Sequence, residues 1–256
     1  MKFYLENNRY IDTDFPLDIS IPLSNTTENL RAWYVDLPII EPVSANGFLG
    51  SVLEGGSVNF RNIHFNPHGH GTHTECLGHI TPIVYSVNES LKKYFFNAEL
   101  ISIKADEFEN SKDGNKDYII RKTQLREKLK GKKVEALIVR TLPNFELKKH
   151  LNYTETNPAY FELSCIDILN ECGVKHILID TPSVDRESDN GELAFHHAFW
   201  QVPSEPQFDK TITELIYVND KIKDGSYILE LQTAPFENDA SPSRPILYEI
   251  NHVNLK

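Results

Sequence analysis

The run from Asn66 to His79, NPHGHGTHTECLGH, gathers four of the chain's ten histidines and a glutamate into one short glycine-containing stretch. Imidazole nitrogen together with carboxylate oxygen suits a borderline divalent cation such as Zn2+. The same donors in a more carboxylate-rich or open shell suit Mn2+ or Fe2+. Gly69 and Gly71 have no Cβ, so the backbone can turn tightly there and bring several donors onto one point. The run therefore reads as half of a metal site. The plain alternative is a structural loop, since a single histidine is more often a surface or hydrogen-bonded core residue, but the local density weighs against it. Cys76 adds a rival chemistry, a thiol nucleophile paired with His73 or His79.

The other half of such a site must come from elsewhere in the chain. After Asp180, the segment DTPSVDRESDNGELAFHHAFW passes through a polar loop into an apolar helix start carrying His196 and His197 side by side. Adjacent residues point in different directions, so at most one of the pair joins the cluster around Gly71 and the other is exposed or hydrogen-bonded. Asp180, Ser183 and Asp185 read as turn formers that fix the loop. Glu214 lies in KTITELIYV, among Ile212, Leu215, Ile216 and Val218. A carboxylate there is either on the solvent face or held inside by a cation.

The elements that must position these donors are of two kinds. The N-terminal third is β-rich, with strands expected at Leu17 to Pro22, Phe48 to Leu53 and Ser57 to Asn66, the last leading directly into the histidine run. The apolar stretch Ile83 to Phe95 is either a helix or irregular cover, and Glu99 to Ile103 reads as a strand. Alternation follows: a helix at Thr123 to Leu129, a buried strand at Ala136 to Val139, a helix over Tyr160 to Glu171 with Gly173 as its C-cap, and a second buried strand at Ile177 to Ile179. Such alternation implies βαβ units with parallel pairing, and further strands at Tyr227 to Leu231 and Ile246 to Ile250 complete a mixed α/β domain. No glycine-rich phosphate loop is present, which leaves the chemistry to the metal.

A chain of 256 residues with no Gly/Ser tract, Pro-rich linker or fixed-period repeat is expected to form one domain over 1–256. With 37 acidic against 26 basic residues, the net charge of −11 repels phosphate backbones and anionic membrane surfaces. Nucleic acid and membrane are therefore not expected partners, and a small-molecule substrate is. MKFYLENNRY lacks the apolar core of a secretion signal, and no run of about eighteen uncharged apolar residues occurs. A cytoplasmic location is the expectation. Three cysteines form no disulfide framework, and Cys165 and Cys172 are expected as small buried hydrophobes on a helix.

The chain resembles the metal-dependent cyclase family that includes bacterial kynurenine formamidase (arylformamidase), isatin hydrolase and polyketide cyclases. The family signature is approximately His-x-Gly-Thr-His-x-Asp-x-Pro-x-x-His, against which this sequence offers Gly71-Thr72-His73-Thr74-Glu75 followed by His79. DTPSVDRES resembles the family's Asp-x-Pro-Ser-Val-Asp loop, His196 matches its second-half histidine and Glu214 its late glutamate. LDISIPLS near Leu17 and Ser241-Pro242-Ser243-Arg244-Pro245 extend the likeness over nearly the whole chain. The resemblance implies a swivelling β/β/α fold, a dimer or tetramer, and one or two ions of Zn2+ or Mn2+. It further implies His73, Glu75, His196 and Glu214 as ligands and His79 as the proton shuttle.

Three departures stand out. Glu75 replaces aspartate, Leu77 replaces proline, and Gly69 occupies the place of the first histidine ligand. His68 is one residue early and His70 one late; a small bulge at the glycines recruits His68 as ligand, leaving His70 on the rim, free to contact substrate. The implied activity is hydrolysis of an amide-like bond, with an N-formylkynurenine-type arylformamide as the leading substrate. A non-catalytic binding or assembly protein, and a metal-dependent cyclase or dehydratase, are the alternatives.

Overall fold

The computed structural model describes residues 1–110, 114 and 116–253. Its centre is a nine-stranded mixed sheet. In chain order the strands are β1 (Leu17–Asp18), β2 (His73–Glu75), β3 (Phe95–Lys104), β4 (Ala136–Leu142), β5 (His176–Ile179), β6 (Thr211–Glu214), β7 (Gly225–Glu230), β8 (Ala240–Pro242) and β9 (Ile246–Glu249). Across the sheet they run β8-β2-β6-β5-β4-β3-β7-β9-β1. The central four, β3 to β6, are mutually parallel, and both flanks are antiparallel. The mixed α/β class is therefore as the sequence indicates.

Strand β4, ALIVRTL, is buried along Ala136 to Thr141, as a parallel strand covered on both faces must be. Its period of two sends Leu137 and Val139 to one face and Ala136 and Ile138 to the other. The first pair packs with Leu125, Leu129, Ile168, Leu169, Phe195 and Trp200, contributed by helices α1 (Lys122–Leu129), α2 (Cys165–Cys172) and α3 (Ala194–Trp200). The second pair joins Leu100, Leu178, Ile216, Leu229 and Leu247. Cys165 and Cys172 are buried and unpaired, small core residues as expected.

Several boundaries move for identifiable reasons. The helix expected over Tyr160 to Glu171 begins only at Cys165, because Tyr160–Phe161 is a short strand. Phe161 N donates to Val184 O and Glu162 N to Ile120 O, which commits those amides elsewhere. Gly173 closes the helix in the left-handed conformation at φ 79°, as expected. The strand expected through Pro22 ends at Asp18, and Ile21 N turns to Thr72 Oγ1 at 2.8 Å, tying this segment to the histidine run. Residues 39–64 form two small hairpin ladders, Ile39–Pro42 with Arg61–His64 and Ser44–Ala45 with Phe48–Leu49. Turns centred on Ser51, with Gly55 at φ 96°, break the longer strands expected there. The Ile83 to Phe95 stretch is irregular cover with one helical turn, Val87–Ser90, before β3 takes over. Among the described residues no helix is long and apolar enough to cross a membrane.

Candidate metal centre

Strand β2 lies between β6 and β8, with His73 opposite Glu214 and Glu75 opposite Ile212. Residues two apart on a strand share a face, and direct cross-strand neighbours stand side by side. His73, Glu75 and Glu214 therefore project from one face, while Thr74 projects from the other, where its hydroxyl meets Thr213 Oγ1 at 2.7 Å. All three donors are buried. This settles the two alternatives for Glu214 in favour of the interior.

Before β2, residues Pro67–His70 make a single helical turn capped by Asn66, whose side chain accepts from Gly69 N at 3.2 Å. Positions two apart on a helix point to opposite sides. His68 consequently enters the cluster, its Nδ1 lying 3.1 Å from Glu75 Oε2. His70 turns away into the protein, where its Nδ1 accepts from Asn66 N at 2.8 Å and its Nε2 meets Asp36 O. The expectation of His70 on a substrate-facing rim is thus corrected: it is 4 % exposed and held by backbone on both nitrogens. Gly71 is extended, so the turn that converges the donors is the capped helical turn before it.

After β2, a tight turn at Leu77–Ile80 places His79 with Nε2 3.8 Å from Glu75 Oε2, and 31 % of its side chain stays accessible. Gly78 is required there, because a Cβ would sit 2.1 Å from Tyr85 O. Cys76 points away to Tyr85 O at 3.2 Å, and burial pushes its thiol above the ordinary value. A buried, protonated thiol is a poor nucleophile, so the cysteine chemistry fails.

From α3, His196 enters the cluster with Nε2 3.1 Å from Glu75 Oε1 and 4.0 Å from Glu214 Oε1. His197 lies outside it, near Val202 O. Asp185, expected only to shape its loop, does more. Its carboxylate accepts from the amides of Phe195 at 2.8 Å and His196 at 3.1 Å, serving a helix start that has no side-chain cap of its own. It also lies 2.6 Å from His196 Nδ1. Asp180 belongs to another arrangement, a buried acceptor for Thr141 and for Lys148 Nζ at 2.8 Å. Asp239, which nothing in the sequence marked, lies 2.9 Å from His68 Nε2 and 3.3 Å from His79 Nδ1.

Among the described residues, two sets of donors are close enough to hold an ion: His73, Glu75 and Glu214, and His68, Glu75 and His79. Glu75 belongs to both. Two of the buried donor atoms, His73 Nε2 and Glu75 Oε2, have no hydrogen-bond partner despite charged neighbours within 4 Å, because the angles are wrong. Orphaned buried polar atoms cost free energy, and a cation between them removes the cost. The outward nitrogens fit the same reading: His73 Nδ1 meets Gly71 O at 3.0 Å, His196 Nδ1 meets Asp185 and His68 Nε2 meets Asp239. Ligating imidazoles are commonly held in this way.

Without a cation the cluster leans on protons. Burial disfavours the charged form of His68, yet the hydrogen bond to Asp239 and the nearby charge of Glu75 carry it up to about 10. His196, likewise opposed by burial, reaches about 10 through Asp185 and Glu75. Burial and the adjacent Glu75 charge raise Glu214. Burial opposes ionisation of Glu75 too, but His79 and His196 bring it well below the usual carboxylate range.

The chain is similar to several known proteins. The family model described as "Putative cyclase" matches residues 17–186. Kynurenine formamidase from Bacillus cereus is 29 % identical over 236 residues, covering 91 % of this chain and 97 % of the relative. The Bacillus cytotoxicus kynurenine formamidase is 29 % identical over 236 residues, 90 % of this chain and 96 % of its own. Among solved structures, a potential metal-dependent hydrolase with cyclase activity superposes with a TM-score of 0.65 at 15 % identity, covering 92 % of this chain and 98 % of its own. Isatin hydrolase A from Labrenzia aggregata superposes at 0.64 with 13 % identity, covering 91 % and 93 %. At these identities the structural likeness speaks for the fold.

Proposed function

The chain belongs to the cyclase family, and from that premise we propose that it is a metal-dependent hydrolase of an amide-like bond in a small molecule, an N-formylkynurenine-type arylformamide being the leading substrate. The observation that carries the reading is the pair of orphaned buried donors, His73 Nε2 and Glu75 Oε2, among imidazoles whose other nitrogens are tied to acceptors. The sequence likeness to kynurenine formamidases over nine-tenths of the chain supports the choice of substrate class.

In this reading His68, His73, Glu75, His196 and Glu214 hold Zn2+ or Mn2+, with Glu75 common to both donor sets and so able to serve one ion or two. The ion supplies Lewis acidity that polarises the scissile carbonyl and acidifies water. His79 is the ring left for proton transfer, since it alone of the four clustered imidazoles keeps about a third of its side chain accessible. It takes a proton from the attacking water and returns it to the leaving nitrogen, a role worth roughly a hundred- to ten-thousand-fold in rate. With Cys76 buried and protonated, no covalent intermediate on the protein is needed.

Elemental analysis of protein purified without chelator, followed by an arylformamide hydrolysis assay on the same sample, tests the proposal. Divalent metal at one or two equivalents with formamide hydrolysis is the expected result. Protein that carries no metal and takes up neither Zn2+ nor Mn2+ on titration would overturn it.

A further inference from the structure

Resting on the metal-centre reading above, we propose that Asp239 is a positioning residue that inverts His68, making it a ligand through Nδ1, and at the same time holds His79 with Nε2 toward the cluster. The two rings stack with centroids 4.4 Å apart and an interplanar angle of 30°. Both span the gap between the same two oxygens. His68 reaches Asp239 Oδ2 with Nε2 and Glu75 Oε2 with Nδ1, whereas His79 reaches Asp239 Oδ2 with Nδ1 and Glu75 Oε2 with Nε2. Both nitrogens of each ring face a carboxylate, which accepts only, so a neutral ring leaves one of them with a bare lone pair; a cation beside the orphaned Glu75 Oε2 would take the inner lone pair, and the hydrogen then stays on the nitrogen facing Asp239. His73 and His196 are oriented the other way, Nδ1 to a protein acceptor and Nε2 inward.

The inversion has a cause in the sequence. His68 is the second residue of the capped turn Pro67–His70, and from there its ring presents Nδ1, one bond nearer the backbone than Nε2, to Glu75 while Nε2 reaches Asp239. Asp239 is fixed for the task by its main chain: its carbonyl accepts from Cys76 N at 3.0 Å, and the next residue, Ala240, pairs with Glu75 in the sheet. Removing the side chain leaves that ladder in place.

The test is a double-mutant cycle in zinc affinity, measured by chelator competition on the full-length protein, with the ring tautomers read from 15N-histidine NMR of the zinc-loaded form. Asp239→Ala should weaken zinc by about ten- to a hundredfold. In a His68→Ala background the same change should cost less than about threefold, because the residue through which Asp239 acts is gone. The spectrum should contain one ring bound through Nδ1, and His68→Ala should remove it. Asp239→Asn, which retains the size and one acceptor oxygen, should give a smaller loss and serves if the alanine variant does not fold. An undiminished effect of Asp239→Ala without His68, or a His68 bound through Nε2, overturns the inference while leaving the metal centre standing. A wild-type protein that binds no zinc overturns both.

Discussion

Replacing Glu214 by glutamine should raise the stability of metal-free protein and lower that of metal-loaded protein. In the absence of an ion, Glu214 Oε2 faces His73 Nε2 at 3.4 Å without hydrogen-bond geometry, and the imidazole gives its other nitrogen to Gly71 O. Two acceptors therefore oppose one another in a buried site unless a proton or cation lies between them. Glutamine can keep the contact from Val184 N, made at 3.2 Å to Glu214 Oε1, while its amide donates to His73. One buried hydrogen bond gained and one unsatisfied acceptor removed are together worth about 1–3 kcal/mol. For a chain of this length each kcal/mol moves Tm by roughly 2–4 °C. In EDTA, Glu214→Gln should thus melt a few degrees above wild type. With zinc at about a thousand times Kd the ion adds about 4 kcal/mol to the wild type alone, and the order reverses. The sign of the pH effect follows from the raised Glu214 carboxyl. The folded chain holds that proton beyond the ordinary carboxylate range, so the stability it brings is complete at low pH and falls as pH rises through the folded value. Glutamine is immune, and the EDTA gap should widen as pH rises above the ordinary carboxylate range. Differential scanning calorimetry with EDTA and with zinc measures both. A variant that melts below wild type in both conditions refutes the reasoning.

His68→Ala should weaken metal affinity at least about tenfold, whereas His70→Ala should leave it within about threefold and instead cost roughly 1–3 kcal/mol in denaturant unfolding, by stripping two backbone groups of their partner. His79→Ala should lower turnover by about a hundred- to ten-thousand-fold; metal content measured alongside should stay near the wild-type value, and equal loss of metal would make His79 a ligand. Burial, against Phe96 and beside Thr211, holds His176 down to about 4 from its ordinary 6.5. Its neutral form therefore stabilises the fold fully above about pH 6.5, and up to about 3 kcal/mol is lost as pH falls toward 4, a slope that urea titrations should find missing from His176→Asn.

The residues alone marked His73 and Glu75, through the density of histidines around Gly69 and Gly71, whereas they left Glu214 open between the solvent face and the interior and His196 open against His197; the resemblance to the cyclase family assigned the latter two. The sequence also favoured His68 over His70, although the decisive reason, opposite sides of one capped helical turn, required the turn to be seen. Asp239 was illegible. It stands among Glu237, Asn238 and Ser241, where an aspartate suggests only a turn, and its partners lie 160 and 171 residues away. Asp185 was read as a loop residue for the same reason, since nothing local reveals that its carboxylate reaches a helix start ten residues on. The alternating centre of the fold was readable from continuous apolar strands. The short hairpins of residues 39–64 were not, because turn geometry rather than hydrophobic pattern decides where they break.

The placement of β2 between β6 and β8 also has a consequence for how the molecule is made. Thr74 waits for Thr213, 139 residues later, and His68 for Asp239. A chain emerging from the ribosome shows its histidine tract long before the strands that confine it exist, and pairings across such separations form late. In that interval the tract is an unselective chelator, with donors but no fixed spacing to favour one ion over another. Discrimination between cations is accordingly a property of the finished sheet, which alone fixes the spacing of the donors.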